Sequence, residues 1–260
     1  MTLSKSDLDQ LKVAKDLLEN PGIAAKLSAV VGSPVEKGIK ALPRRMQTSV
    51  HKATQGALMR ALSLAVSSLG TKAGNQPSRD RIHKFAAAAS GAAGGAFGLA
   101  ALAWELPIST TLMLRSIADI AAAEGHDPRH LDTKLDCLTV FGLGAESAPE
   151  NPSESGYFAT RTALASAVTE AAKHLAKKGL AKGSAPALVR LVALIGARFG
   201  VVVSEKAAAQ AIPIIGAAGG ALINTIFIGH YQDMARGHFI VRRLEKIHGA
   251  EPVRDAYDKL

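Results

Sequence analysis

The chain has 260 residues, a net charge of +9, and is 48% hydrophobic but only 4% aromatic. That length sits near the upper limit for one hydrophobic core, and so few aromatic rings disfavour a bulky aromatic-lined ligand pocket and point to a core of Ala, Leu, Val and Ile. The single cysteine, Cys137, excludes an internal disulfide framework and a Cys-rich zinc site, which fits a reducing, cytoplasmic compartment.

The N-terminus turns charged at once, with no apolar core of signal-peptide length. Ser6 with Asp9 predicts a cap for a first helix, in which Leu8, Leu11, Ala14 and Leu18 recur at helical spacing before Asn20-Pro21-Gly22 stops it. A second short helix is expected around Ile23 to Val31, so residues 1–43 read as a basic arm and residues 44–260 as a helical domain. Leu58, Leu62, Ala65 and Leu69 predict a long helix from about Arg44 with one buried face. Phe85 to Trp104 is uncharged over 20 residues, long enough to cross a bilayer. Its Ala and Gly gain little from lipid, however, and the spacing of Gly91, Gly94, Gly95 and Gly98 reports close helix packing in either solvent.

Trp104-Glu105-Leu106-Pro107 should interrupt that run before a helix from Ile108 to Glu124. Asp127 and Pro128 read as N-cap and first position of the next helix, which reaches Phe141 and carries Cys137. Residues 142–156 read as a flexible loop. A basic helix is expected from Phe158 to Leu180 and an apolar one from Pro186 to Val203. Ala207 to Gln232 is again free of Asp, Glu, Lys and Arg, and a last long helix from Asp233 to Ile247 is closed by His248-Gly249. No stretch alternates as a strand does, so the fold class is all-α, a multi-helix bundle with a Gly/Ala-rich core.

Charge is distributed in blocks. Residues 1–84 carry 14 Lys/Arg against 6 Asp/Glu, whereas residues 85–156 carry 3 against 9. No zinc finger, RNA-recognition signature or basic stripe interleaved with aromatics accompanies them, so no nucleic-acid partner is expected, and attraction to an anionic membrane surface accounts for the basic block.

Gly91-Ala92-Ala93-Gly94-Gly95-Ala96 recurs identically from Gly216 to Ala221, an offset of 125 residues. A repeat of this kind predicts two related helical hairpins packed by their glycine faces. The same offset pairs Glu105 with His230. Neither group sits beside an apolar core cheaply without a partner, so they are expected to pair, with Arg115, Asp119, Asp233 and His238 nearby. His230, Asp233 and His238 also suit a divalent metal by type, but their angular spacing on one helix is poor and no His-Glu-x-x-His pattern is present. Cys137 has no nucleophile signature and reads as a buried small residue. Ser109, Thr110 and Thr111 read as helix-capping hydroxyls, and no cofactor-binding motif is recognised.

Two longer segments are more specific: Trp104-Glu105-Leu106-Pro107 through Arg115-Ser116-Ile117-Ala118-Asp119-Ile120-Ala121, and Ile223-Asn224-Thr225-Ile226-Phe227 through His230-Tyr231-Gln232-Asp233-Met234-Ala235-Arg236-Gly237-His238-Phe239. With Gly91 to Gly98 they resemble the EcsC family of bacterial proteins over roughly residues 34–248. The resemblance implies bacterial origin and, through a family name taken from a product encoded beside an ABC transporter, a connection with membrane transport. It carries over no reaction and no catalytic residue. Two function classes follow. The preferred one is a non-enzymatic, membrane-associated accessory or interaction protein at the inner membrane, partnered by the membrane surface or by a membrane protein such as an ABC transporter. The alternative is a hydrolase, metal-dependent or not, built from the Glu105, Arg115, Asp119, His230, Asp233 and His238 cluster.

Overall fold

Two overlapping Ser-x-x-Asp sequences could open the first helix, and the chain uses the earlier one. In the computed structural model Ser4 Oγ accepts from the Asp7 amide at 3.2 Å, while Asp7 Oδ2 accepts from the Ser4 hydroxyl at 2.7 Å and the Ser4 amide at 3.3 Å. This is a reciprocal capping box two residues before the expected cap. The structure describes residues 3–19, 23–31, 44–68, 82–86, 88–89, 102–145, 156–179, 185–210 and 216–260. Among these no residue is in a strand, and the fold is all-α. Its longer helices are α1 (Lys5–Glu19), α2 (Ile23–Val31), α3 (Arg44–Ser68), α4 (Leu102–Ala123), α5 (Leu131–Leu143), α6 (Gly156–Lys178), α7 (Pro186–Gln210), α8 (Gly216–His248) and α9 (Ala250–Lys259).

At the centre is α5, apolar around most of its circumference and packed against α3, α4, α6, α7 and α8. Leu135, Cys137, Leu138, Val140 and Phe141 are all buried, as expected of a helix that shows no consistent polar face. A Cβ on Gly142 would stand 2.9 Å from Leu164 Cδ1, and one on Gly144 would stand 2.7 Å from the Tyr231 ring, so both positions have glycine because neighbouring side chains lie against the backbone. The end of α5 leaves carbonyls without helical partners. Arg198 Nε of α7 reaches Gly142 O at 2.8 Å, and His230 Nε2 of α8 reaches Gly144 O at 2.8 Å.

Three expected boundaries shift. Pro107 lies inside α4 instead of ending a segment. As the sixth residue of α4 it forgoes the one bond that its N–H would have made to the Ala103 carbonyl, and the helix continues through it. The break expected near Gln232 is absent, because α8 runs unbroken for 33 residues from Gly216 to His248. Asp127 does not cap α5. Its carboxylate binds the Arg129 amide and guanidinium instead, and α5 starts after His130 with no side-chain cap. The last helix has no counterpart in the sequence reading: beyond Gly249, whose φ is 90°, α9 buries Val253 and Tyr257 one turn apart. The Gly91 to Gly98 motif, most of the Phe85 to Trp104 run and residues 146–155 lie outside the described residues, and with them the first half of the repeat.

The first helix does not stand apart from the body. Leu11 and Ala14 of α1 are fully buried against a second apolar cluster formed with Tyr157, Phe158, Val241, Leu244, Val253 and Tyr257. Polar contacts hold the same seam: Lys15 Nζ to Tyr257 O at 2.9 Å, Arg243 to Gln10 Oε1 at 2.7 Å, and His248 to Asp7 at 3.0 Å. α1 lies directly against α8 at Gly237, where a Cβ would lie 2.7 Å from Leu18 Cγ and 3.0 Å from the Ala14 carbonyl oxygen. Leu18 can rotate away but the carbonyl cannot. Gly237→Ala is therefore expected to cost about 1–3 kcal/mol by overpacking, read as a lower urea midpoint with faster amide exchange concentrated in α1. An unchanged midpoint would mean that α1 tolerates displacement from α8.

Candidate functional site

Two charge-free stretches of the sequence end at Glu105 and begin after Lys206, and the fold brings those charges together. Lys206 Nζ donates to Glu105 Oε1 at 2.6 Å, with both side chains essentially inaccessible to water, and Gln210 Nε2 donates to Oε2 at 3.2 Å. The ammonium also lies 4.7 Å from the centre of the Phe227 ring. Burial pulls the Lys206 pKa down, and the Glu105 carboxylate opposes it. Sequence reasoning missed Lys206, although a lysine at the mouth of a charge-free run is the natural counter-ion for a carboxylate closing another. Removing one member strands a buried charge, so Lys206→Met is expected to destabilise the protein by about 3–5 kcal/mol. The Glu105→Gln, Lys206→Met double variant should recover much of that loss, measured by chemical denaturation. If the double variant loses the sum of the two single losses, the pair is not coupled.

The other five residues expected beside Glu105 do not converge on it. Glu105 and His230 make no hydrogen bond to each other: His230 is buried and its Nε2 donates to Gly144 O. Asp233, one turn further along α8, faces Lys26 of α2 at 3.6 Å. Asp119 accepts from His83 Nε2 at 3.0 Å, and Arg115 is exposed on α4. Among the described residues no group of three His, Cys, Asp or Glu side chains is placed to hold a metal ion. Cys137 is buried in α5 with its thiol pKa pushed up by desolvation, an environment that suppresses the thiolate.

Of the six, His238 lines a cleft among the described residues. This space of about 390 Å³ lies between α5, α6, α8 and α9 and is lined by Asp136, Phe158, Arg161, His238, Arg242 and Glu245 among others. Arg161 grips Glu245 with two bonds of 2.7 and 2.9 Å, and Arg242 bridges Asp136 at 3.1 Å and Glu245 at 3.2 Å. The Tyr157 hydroxyl stands 2.9 Å from His238 Nδ1 and accepts from Arg161 at 3.3 Å. Spacing could have revealed this group, because His238, Arg242 and Glu245 fall at i, i+4 and i+7 on one stripe of α8, and Tyr157 and Arg161 at i and i+4 on α6.

Electrostatically, the buried histidines share one tendency. Desolvation holds His230 down to about 4 from an ordinary 6.5. Burial, with the Arg161 and Arg242 guanidiniums nearby, holds His238 well below its usual value, and burial lowers His126 too. The unfolded chain therefore binds protons near pH 6.5 that the folded chain refuses, and stability must fall as pH drops from there toward about 4. His230 alone accounts for up to about 3 kcal/mol of that fall. His230→Gln keeps an N–H for Gly144 O and cannot titrate, so its melting temperature should decline less over the same interval. A decline as steep as in the unsubstituted protein would place the acid sensitivity elsewhere.

No curated protein and no solved structure matches this chain. The model of the EcsC protein family matches residues 5–244, a span that begins in α1, well before the resembling segments, and ends inside α8. With both the Glu105 segment and the His230–Phe239 segment inside that match, the chain belongs to the EcsC protein family.

Proposed function

We propose that this protein is a membrane-associated accessory or interaction protein that sits peripherally on the cytoplasmic side of the inner membrane. The observation that carries the reading is the outer face of α3. That helix has 25 residues without a single Asp or Glu. Arg45, Lys52 and Arg60 are exposed on it within an arc of about 80°, with Met59 also exposed beside them. None of the three cations forms an ion pair among the described residues, so their charge is directed at whatever approaches from solvent. Polybasic faces of this kind are drawn to anionic headgroups, each Lys or Arg near the surface contributing about 1 kcal/mol.

The neighbouring α7 supports the same reading. It is long and apolar enough to cross a membrane, yet half of its most apolar window is buried within the protein, which favours a surface position over a spanning one. Leu194 and Val201, one face of the helix, remain exposed to contact headgroup or partner. The apolar face of α1, by contrast, is covered by α8 and α9, so the amphipathic first helix is not the anchor. A membrane-protein partner, an ABC transporter by the family's name, completes the proposal.

Co-sedimentation with vesicles tests it. Binding is expected to vesicles containing phosphatidylglycerol but not to pure phosphatidylcholine, and to fade as salt rises. The Arg45→Glu, Lys52→Glu, Arg60→Glu variant, altered only at exposed positions, should keep its melting temperature and bind at least roughly 100-fold more weakly. Binding indifferent to anionic lipid, salt and the triple variant would overturn the proposal.

A further inference from the structure

At the wall of the cleft, His238 and Asp136 place a ring nitrogen and a carboxylate oxygen 4.0 Å apart, and neither atom has a hydrogen-bond partner among the described residues. Among the described residues His238 Nδ1 is the acceptor within reach of the Tyr157 hydroxyl, whose oxygen accepts from Arg161, and this assigns the hydroxyl proton to the bond with Nδ1. Nδ1 is then the acceptor and Nε2 carries the ring proton. Nε2–H has no hydrogen-bond partner, although His238 is only 1% exposed. The nearest acceptor is Asp136 Oδ1 at 4.0 Å, too far for a direct bond, and that oxygen accepts no hydrogen bond; the Arg242 bond goes to Oδ2. A single oxygen that both accepts and donates closes such a gap. An ionised carboxylate or phosphate oxygen accepts only; a neutral hydroxyl does both.

The rest of the lining narrows the class. Arg161, Arg242 and Arg254 are matched in number by Asp136, Glu245 and Glu251, so the cleft offers no net charge to an ion. Arg242 uses two of its donor nitrogens on Asp136 and Glu245, leaving its second terminal NH2 for another acceptor. Phe158, Leu164 and Val168 supply an apolar wall. At about 390 Å³ the space is at the small end of ligand pockets and many times the volume of one water. We propose that this cleft binds a small neutral polyol, one hydroxyl of which bridges His238 Nε2–H and Asp136 Oδ1.

The test is a titration of the full chain with myo-inositol, with glycerol as a smaller polyol and inorganic phosphate as an anionic control, followed through the histidine side-chain nitrogens by NMR. The inference expects a saturable shift of the His238 Nε2 signal at millimolar polyol, an unchanged His230 signal, and no saturable response to phosphate. Ala165 lines the cleft from an exposed position on α6, outside the buried network. Ala165→Phe should fill the cleft, leave the melting temperature unchanged and weaken myo-inositol binding at least tenfold. A flat response to both polyols would show that water alone bridges the gap, and equal binding by Ala165→Phe would place the ligand elsewhere. Saturation by phosphate instead of polyol would identify an anion site. Each of these three results overturns the proposal.

Discussion

A helix enclosed by five others has no solvent to satisfy whatever it cannot satisfy itself. That condition, imposed on α5, organises the structure around it. Its final carbonyls must be met by side chains from other helices, and Arg198 and His230 meet them. Lys134 finds the Val66 carbonyl of α3 at 3.0 Å, and Asp136 finds Arg242 of α8. Each bond orients a surrounding helix as well as satisfying α5, so the polar residues of the centre fix the relative positions of helices whose Ala, Leu and Val surfaces would pack acceptably in several registers. Whether that specificity is the reason for retaining them is the question the paired substitutions at Glu105 and Lys206 put to the molecule.

The distribution of buried charge separates two kinds of polar group. Glu105 and Lys206 are closed off from water and fully occupied with each other, Gln210 and a ring face, and this arrangement stabilises packing without leaving an atom available for chemistry. The group around Asp136, His238 and Arg242 is also ion-paired, yet it borders open space and retains an unpartnered N–H. Perturbed ionisation occurs in both, so it does not tell them apart; access to a ligand does.

Much of the fold was readable in the chain. The stripe of Leu58, Leu62 and Ala65 located α3, and the expected basic helix from Phe158 to Leu180 located α6 to within two residues at each end, because each element has one apolar face and a clear end. Pro107 and the change from apolar to charged sequence near Asp233 were misleading, since helix continuation depends on backbone bonding and on tertiary contact, and neither proline near a helix start nor a change of polarity forbids it. α9 was overlooked although Pro252 in its first turn and Val253 with Tyr257 signal a helix. The candidate site was less legible. Glu105 and His230 were rightly singled out as polar groups beside apolar runs, but their partners Lys206 and the Gly144 carbonyl lie about 100 and 86 residues away, and a single sequence contains no record of contacts at that range.

The docking of α1 has a consequence for how the chain comes to be folded. Its contacts on α8 and α9 join residues separated by 233 and 242 positions. During synthesis α1 is made long before α8 and α9, and Leu11 and Ala14 lack most of the cluster that buries them until those two helices have left the ribosome. An apolar stripe thus stays unburied through most of translation, a period in which it invites chaperone binding or association with another nascent chain. Closing such a long loop late also raises the contact order of the whole bundle, so this helical protein should fold more slowly than bundles joined only by neighbouring hairpins.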